Sequence, residues 1–243
     1  MLGVLGGMGP MATVDFMGKV VRNTPAACDQ DHIRMIVCSA ADIPDRTAAI
    51  LGKGPDPFPA MRDTLRRLEA AGARRIAIPC NTAHRWHAAL QAETSLPILH
   101  IVDAVADALA GGMGDRIGVL ATRGTIAAGI YPERLAARGF TCRAPDAAGQ
   151  AEVTRAIRLV KAGHSAKAGH LAEAHTILAG QAEALMSAGC SRIVMACTEI
   201  PVALASVEGP LGTALVDATE ALARACVQVC LQDDAGLSLA RAA

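Results

Sequence analysis

Apolar and polar positions repeat along this chain in one order: a short apolar run, a turn, then a stretch with helical spacing. Residues 1–5 form an apolar run closed by a Gly-rich turn, and 11–22 carry helical spacing. The β-branched run IRMIVCSA at 33–40 reads as a strand. PAMRDTLRRLEAAGA at 59–73 is an amphipathic helix stopped near Gly72, RIAIPC at 75–80 a strand, and 81–93 a helix. PILHIVDA at 97–104 predicts another strand, with helix after it to about 110. The second half predicts strand then turn at 115–125, helix at 126–138 and a weak strand at 140–146. Helices at 150–161 and 171–187 follow, then strands at 192–197 and 213–218, and a helix to about 231. Alternation of this kind predicts an α/β fold, with parallel sheets covered by helices.

The order also repeats. AGARRIAIPCNT at 71–82 lines up with AGCSRIVMACTE at 188–199, an offset of 117. GVL at 3–5 matches GVL at 118–120, and VDA at 102–104 matches VDA at 216–218, at offsets of 115 and 114. Three matches in one order predict an internal duplication, with two pseudo-symmetric parallel-sheet α/β lobes and a cleft between them. The expected division is 1–101 plus 209–232 for the first lobe and 102–208 for the second, with 233–243 as a frayed tail.

Composition narrows the partners. Lys plus Arg and Asp plus Glu number 23 each, so the net charge is zero and no basic footprint for nucleic acid is present. Five aromatic residues leave little for base stacking. The core must be aliphatic. Apolar windows are short and broken by charge or Gly, so no membrane span is expected, and the start MLGVLGGMGP lacks the pattern of a signal peptide. A cytoplasmic setting is the expectation, with the eight cysteines as thiols. No C-x-x-C pair occurs.

The duplication turns attention to two of those thiols. Cys80 and Cys197 fall at equivalent positions, each at the carboxyl end of a strand and just before a helix. Ligands of open α/β sheets bind there. A helix N-terminus favours thiolate over the ordinary pKa of about 8.5. Asn81-Thr82 and Thr198-Glu199 follow the thiols and offer groups for a small carboxylate. Two opposed thiols suit inversion at a carbon acid, one removing a proton from one face and the other returning one to the opposite face. The competing reading is buried packing, ordinary for cysteine. It is the reading for Cys28, Cys38, Cys142, Cys190, Cys226 and Cys230, the last two sharing a helix face.

Cys80, His84 and His87 have helical spacing and could form one edge of a metal site, but no further ligands cluster with them. His84 reads instead as a wall of the cleft. His164, His170 and His175 read as a solvated face. GVLGGMGP at 3–10 is a poor match to a dinucleotide fingerprint. It reads as a tight turn, or as N–H groups facing an anion in the cleft.

Five segments in order carry a resemblance. GGMGPMAT (6–13), DIPDR (42–46), PCNTAH (79–84), LATRGT (120–125) and ACTEIP (196–201) are together similar to the aspartate/glutamate racemase superfamily. The likeness covers about residues 1–230 and is nearest to the aspartate racemases and broader amino-acid racemases. Gly7-Met8-Gly9 stands where glutamate racemases of cell-wall synthesis carry Asp-Ser-Gly.

The resemblance implies racemisation of L- and D-aspartate or glutamate, an isomerase reaction, with no pyridoxal phosphate, metal or other cofactor. Cys80 and Cys197 would be the acid/base pair. Asn81, Thr82, Thr122, Thr125 and Thr198 match positions that hold the α-carboxylate or amino group, and Met8, Thr13 and Glu199 join them as substrate-binding positions. Arg46 and Lys161 match the cations that receive a side-chain carboxylate, for which Arg offers a bidentate fork. A homodimer and a return of the C-terminal strand and helix to the first lobe are also implied. Maleate isomerases and hydantoin racemases of the same superfamily remain alternatives, as does a small-carboxylate binding protein that has lost turnover.

Overall fold

The computed structural model describes every residue except 110, 111, 113, 164–168 and 243, and does not describe the side chains at 163 and 233–242. The first half contains β1 (Leu2–Gly6), α1 (Pro10–Asn23), β2 (Met35–Ser39), α2 (Arg46–Ile50), α3 (Phe58–Ala70), β3 (Arg75–Ala77), α4 (His87–Gln91) and α5 (Ile101–Ala108). The second contains β4 (Arg116–Ala121), α6 (Arg123–Ala127), α7 (Ile130–Ala136), β5 (Thr141–Arg143), α8 (Ala147–Gly163), α9 (Gly169–Ser187), β6 (Arg192–Ala196) and α10 (Glu199–Ala203). The chain closes with α11 (Gly209–Ala214), β7 (Leu215–Asp217) and α12 (Ala218–Ala242).

Two parallel sheets result, ordered β2-β1-β3 and β5-β4-β6-β7. Their registers repeat. Gly3 lies beside Ile76 and Gly118 beside Ile193; Ile76 bridges Ile98 and Ile193 pairs with Leu215. Glycine is needed at both first positions for space. A Cβ on Gly3 would fall 2.9 Å from Ile76 Cδ1, and one on Gly118 2.5 Å from Ile193 Cδ1.

Side chains alternate across each sheet, as strand geometry requires. Leu2, Val4, Ile117, Val119 and Val194 enter one core shared by both sheets, filled by Phe16, Val105, Tyr131 and Leu222 from the helices. Ile76, Ile78 and Cys80 face an outer core with α3; Ile193, Met195 and Cys197 face another with α8 and α9. The two cysteines therefore occupy the same row of their respective halves.

Several expectations are corrected. The strand expected at 97–104 reduces to a bridge at Ile98. His100 stops it, because its Nδ1 accepts from Val102 N and caps α5. The VDA match is therefore not a structural one: Val102–Ala104 are helical, whereas Val216 and Asp217 end β7. Ile98 and Leu215 are the true equivalents. β7 joins the second sheet rather than returning to the first lobe; α12 packs on α1 and α5. The helix expected at 81–93 is a 3-10 turn at Thr82–Trp86 followed by α4. The helix expected at 126–138 is divided at Gly129, whose φ of +67° a helix cannot accept. The helix expected to end near 231 continues to Ala242, through the stretch expected to fray. None of the described helices is long and apolar enough to cross a membrane.

One buried ion cluster ties α1 to the start of α12. Lys19 Nζ lies 2.6 Å from both Asp15 and Asp217 and donates to Thr219 Oγ1 at 2.7 Å. Burial pulls the Lys19 pKa down, but the two carboxylates outweigh it and hold the value above 10.5. Lys19→Met removes one partner of this pair and should lower unfolding stability by about 3 kcal/mol in urea titrations at pH 7. The Lys19 contribution is complete below the unfolded-chain pKa and should disappear as pH rises through the higher folded value.

Candidate active site

Cys80 lies three residues past β3 and Cys197 directly follows β6, so both stand at carboxyl ends of parallel strands. Both line one narrow cleft. Met8 enters it from the turn after β1, Asp45, Arg46 and Thr47 from the start of α2, and Lys161 from the last turn of α8. Asn81, Thr82, Thr122, Thr198 and Glu199 complete the polar lining. The enclosed volume is about 30 Å³, room for a water or two.

Thr82 and Thr122 meet across the cleft floor. Their hydroxyls lie 3.0 Å apart, and Thr125 Oγ1 lies 2.9 Å from Thr82 and 3.0 Å from Thr122. Thr122 also caps α6 by accepting from Thr125 N. Gly124 permits this approach, since a Cβ there would sit 2.7 Å from Thr47 Oγ1 and 3.0 Å from Thr82 Cγ2. Thr125 is buried behind the two and does not line the cleft. Thr13 does not line it either. Its Oγ1 accepts from Gly7 N and donates to Gly9 O, which fixes the turn that carries Met8. The Gly7 N–H, expected to face an anion, is thus already paired.

Two donors in the cleft have no partner. Arg46 Nη1 donates to the carbonyls of Ile43 and Pro44, which pins the guanidinium, but its buried Nε is unpaired. Asn81 Nδ2 is also buried and unpaired, while Asn81 Oδ1 accepts from Tyr131 OH at 2.6 Å. Buried donors without acceptors are uncommon in folded proteins. Both belong to residues that line the cleft.

Cys197 departs from the expected thiolate. Its Sγ–H donates to Glu199 Oε2 at 2.9 Å, an atom that also accepts from Thr198 Oγ1. Glu199 Oε1 faces Lys161 Nζ at 3.5 Å. Burial, then the Glu199 charge, pushes the Cys197 pKa well up; the Lys161 charge opposes them and loses. The helix beyond it, α10, has five residues, too short to offset desolvation.

The histidines lie elsewhere. His84 is not a wall of the cleft. It lines a separate cavity of about 550 Å³ with His87 and His100, whose rings lie 5.8 and 4.6 Å from its own. His84 Nε2 donates to Ile78 O, and burial, then His87, depresses its pKa to about 3. Cys80 is not in that cavity, and among the described residues no group of three or more His, Cys, Asp or Glu could hold a metal. His170 and His175 are half-buried rather than on a solvated face, His175 Nδ1 donating to Ala203 O. His164 lies outside the described residues.

The family profile described as Asp/Glu/Hydantoin racemase matches residues 5–226. The chain belongs to the Asp/Glu/hydantoin racemase family. Racemases are isomerases, and the two-sheet α/β architecture is the family's. The broad specificity amino-acid racemase RacX of Bacillus subtilis is 28% identical, over 95% of this chain and 98% of that protein. The glutamate racemase of Deinococcus radiodurans is 31% identical, over 81% of this chain and 62% of that protein. Among solved structures, the Picrophilus torridus aspartate racemase superposes with a TM-score of 0.79 at 29% identity, covering 94% of this chain and 93% of that one.

The structure thus brings Cys80, Cys197, Met8, Arg46, Asn81, Thr82, Thr122, Lys161, Thr198 and Glu199 to one cleft and leaves Thr13 and Thr125 outside its lining. Sequence reasoning passed over Asp45, Thr47 and Tyr131. Asp45 had a local signal, an Asp ahead of a helical turn, and it does cap α2 by accepting from Ala48 N. Tyr131 had none, being fifty residues from its partner Asn81.

The Cys197 geometry makes a testable statement about reactivity. Iodoacetamide at pH 7 should alkylate Cys197 slowly, and faster as pH rises toward its raised pKa. Glu199→Gln removes the repelling carboxylate and leaves the Lys161 charge unopposed, so it should accelerate Cys197 alkylation about 10-fold, read by peptide mass spectrometry.

Proposed function

We propose that the protein racemises an acidic amino acid, aspartate or glutamate, by proton transfer between Cys80 and Cys197 without a cofactor. The observation that carries this reading is the single cleft that two strand-end thiols share with two unpaired buried donors, Arg46 Nε and Asn81 Nδ2. An α-carboxylate beside Asn81 and Thr82 would leave the side-chain carboxylate to Arg46 and Lys161. Names of the similar proteins, an aspartate racemase and a broad specificity amino-acid racemase, support the reaction class.

In the resting state Cys197 carries its proton, held by Glu199, and so is ready to act as the acid. Cys80 is then the base that takes the Cα proton in that direction, and the enantiomer exchanges the roles. The Glu199 carboxylate between Cys197 and Lys161 can receive the thiol proton when Cys197 must act as base. Closing the narrow cleft over substrate excludes water that would otherwise exchange the proton.

Incubation with L-aspartate or L-glutamate in D₂O should introduce deuterium at Cα as optical activity is lost. Absence of exchange with every acidic amino acid would sink the reading and leave a carboxylate-binding protein. Cys80→Ala and Cys197→Ala should each lower racemisation by about 10²–10⁴-fold or more. Full racemisation by either variant would rule out the paired role. Arg46→Ala should weaken the use of aspartate relative to alanine about 10-fold or more, measured as the ratio of kcat/KM values.

A further inference from the structure

We propose that Tyr131, which lies outside the cleft, is a positioning residue for substrate binding: it fixes the Asn81 amide so that the NH₂ group faces the substrate carboxylate. The proposal rests on the racemase reading of the site given above.

Tyr131 is the chain's one tyrosine and among its largest fully buried side chains, sitting on α7 in the core shared by the two sheets. Its hydroxyl donates to Asn81 Oδ1 at 2.6 Å. Asn81 belongs to the first half and Tyr131 to the second, so this bond crosses between halves directly behind the cleft. An asparagine amide has two nearly isosteric orientations that differ only in which end, acceptor or donor, faces a ligand. Tyr131 biases the choice, because the buried phenol donates its proton only to Oδ1, whereas a flipped amide would make the phenol oxygen an acceptor. With Oδ1 taken by the phenol, Nδ2 is the end left over, and it is the end that is buried, unpaired and part of a residue lining the cleft. The flipped amide would leave the phenol proton without this acceptor and turn Oδ1 toward a carboxylate, where two acceptors repel.

The phenol is a dependable donor. Burial, with a lesser contribution from the Asp217 charge, raises its pKa well above 10, so it remains protonated at neutral pH. A phenylalanine at this position would fill nearly the same volume and lack the one atom that chooses the orientation. The arrangement is preorganisation: the donor is aimed before substrate arrives, and no binding free energy is used to turn it.

Steady-state racemisation of aspartate and glutamate by the wild-type protein, Tyr131→Phe, Asn81→Ala and the double variant tests this. Tyr131→Phe should raise KM about 10-fold with kcat changed less than 3-fold, and should add nothing further to KM in the Asn81→Ala background. A merely structural role would lower the melting temperature and leave KM within 2-fold, which would overturn the proposal, as would full additivity in the double variant. Asn81→Asp supplies a second measurement should Tyr131→Phe fold poorly. It is isosteric and keeps an acceptor for Tyr131, but presents an oxygen to the substrate, so KM should rise by 100-fold or more. An unchanged KM in Asn81→Asp would refute the proposal. Absence of racemisation by the wild-type protein would instead refute the racemase reading, so the two failures are distinguishable.

Discussion

The hydroxyls of Thr82, Thr122 and Thr125 form a triangle, each edge 2.9 to 3.0 Å, where the two halves of the molecule touch. Much else follows from that contact. The proposed proton transfer across one carbon needs the two thiols held on opposite sides at a fixed spacing. Each thiol is fixed within its own half by a parallel strand, but nothing in either half alone sets the gap. The triangle, the Gly124 approach to Thr47 and the Tyr131–Asn81 bond do so at the cleft. Lys19, between Asp15, Asp217 and Thr219, does so on another side of the fold.

Inside the cleft the balance of forces differs from that at an exposed helix end. Helix N-termini add a modest fraction of a charge, and the helix following Cys197 is a single short turn. Desolvation of a buried thiolate is the larger effect, and an adjacent carboxylate adds to it. Cys197 accordingly rests as a thiol hydrogen-bonded to Glu199. The same burial leaves Arg46 Nε and Asn81 Nδ2 unpaired.

Much of this was legible in the residues, and the reasons for the exceptions are physical. The strands β1 and β6 showed themselves as short apolar runs, being buried on both faces, and α3 showed itself by helical period, because one face of it is buried. The short helices α2, α10 and α11 did not, since five or six residues are too few to display a period. The expected strand at 97–104 failed because a side-chain cap, His100 to Val102 N, overrode β propensity. His84 was expected in the cleft because it is close in sequence to Cys80; the 3-10 turn Thr82–Trp86 places it in a separate cavity with His87 and His100.

By itself the sequence determined the duplicated α/β plan, the pairing of Cys80 with Cys197 and most of the polar residues around them. Those are repeats and motifs written in local order, and a parallel strand end carries its residues to one edge of the sheet. Only the tertiary structure decided that Cys197 is held protonated, that Thr13 and Thr125 support the cleft rather than line it, and that Tyr131 aims Asn81. Those depend on burial and on contacts between residues tens of positions apart. Neither is a property of any single stretch of chain.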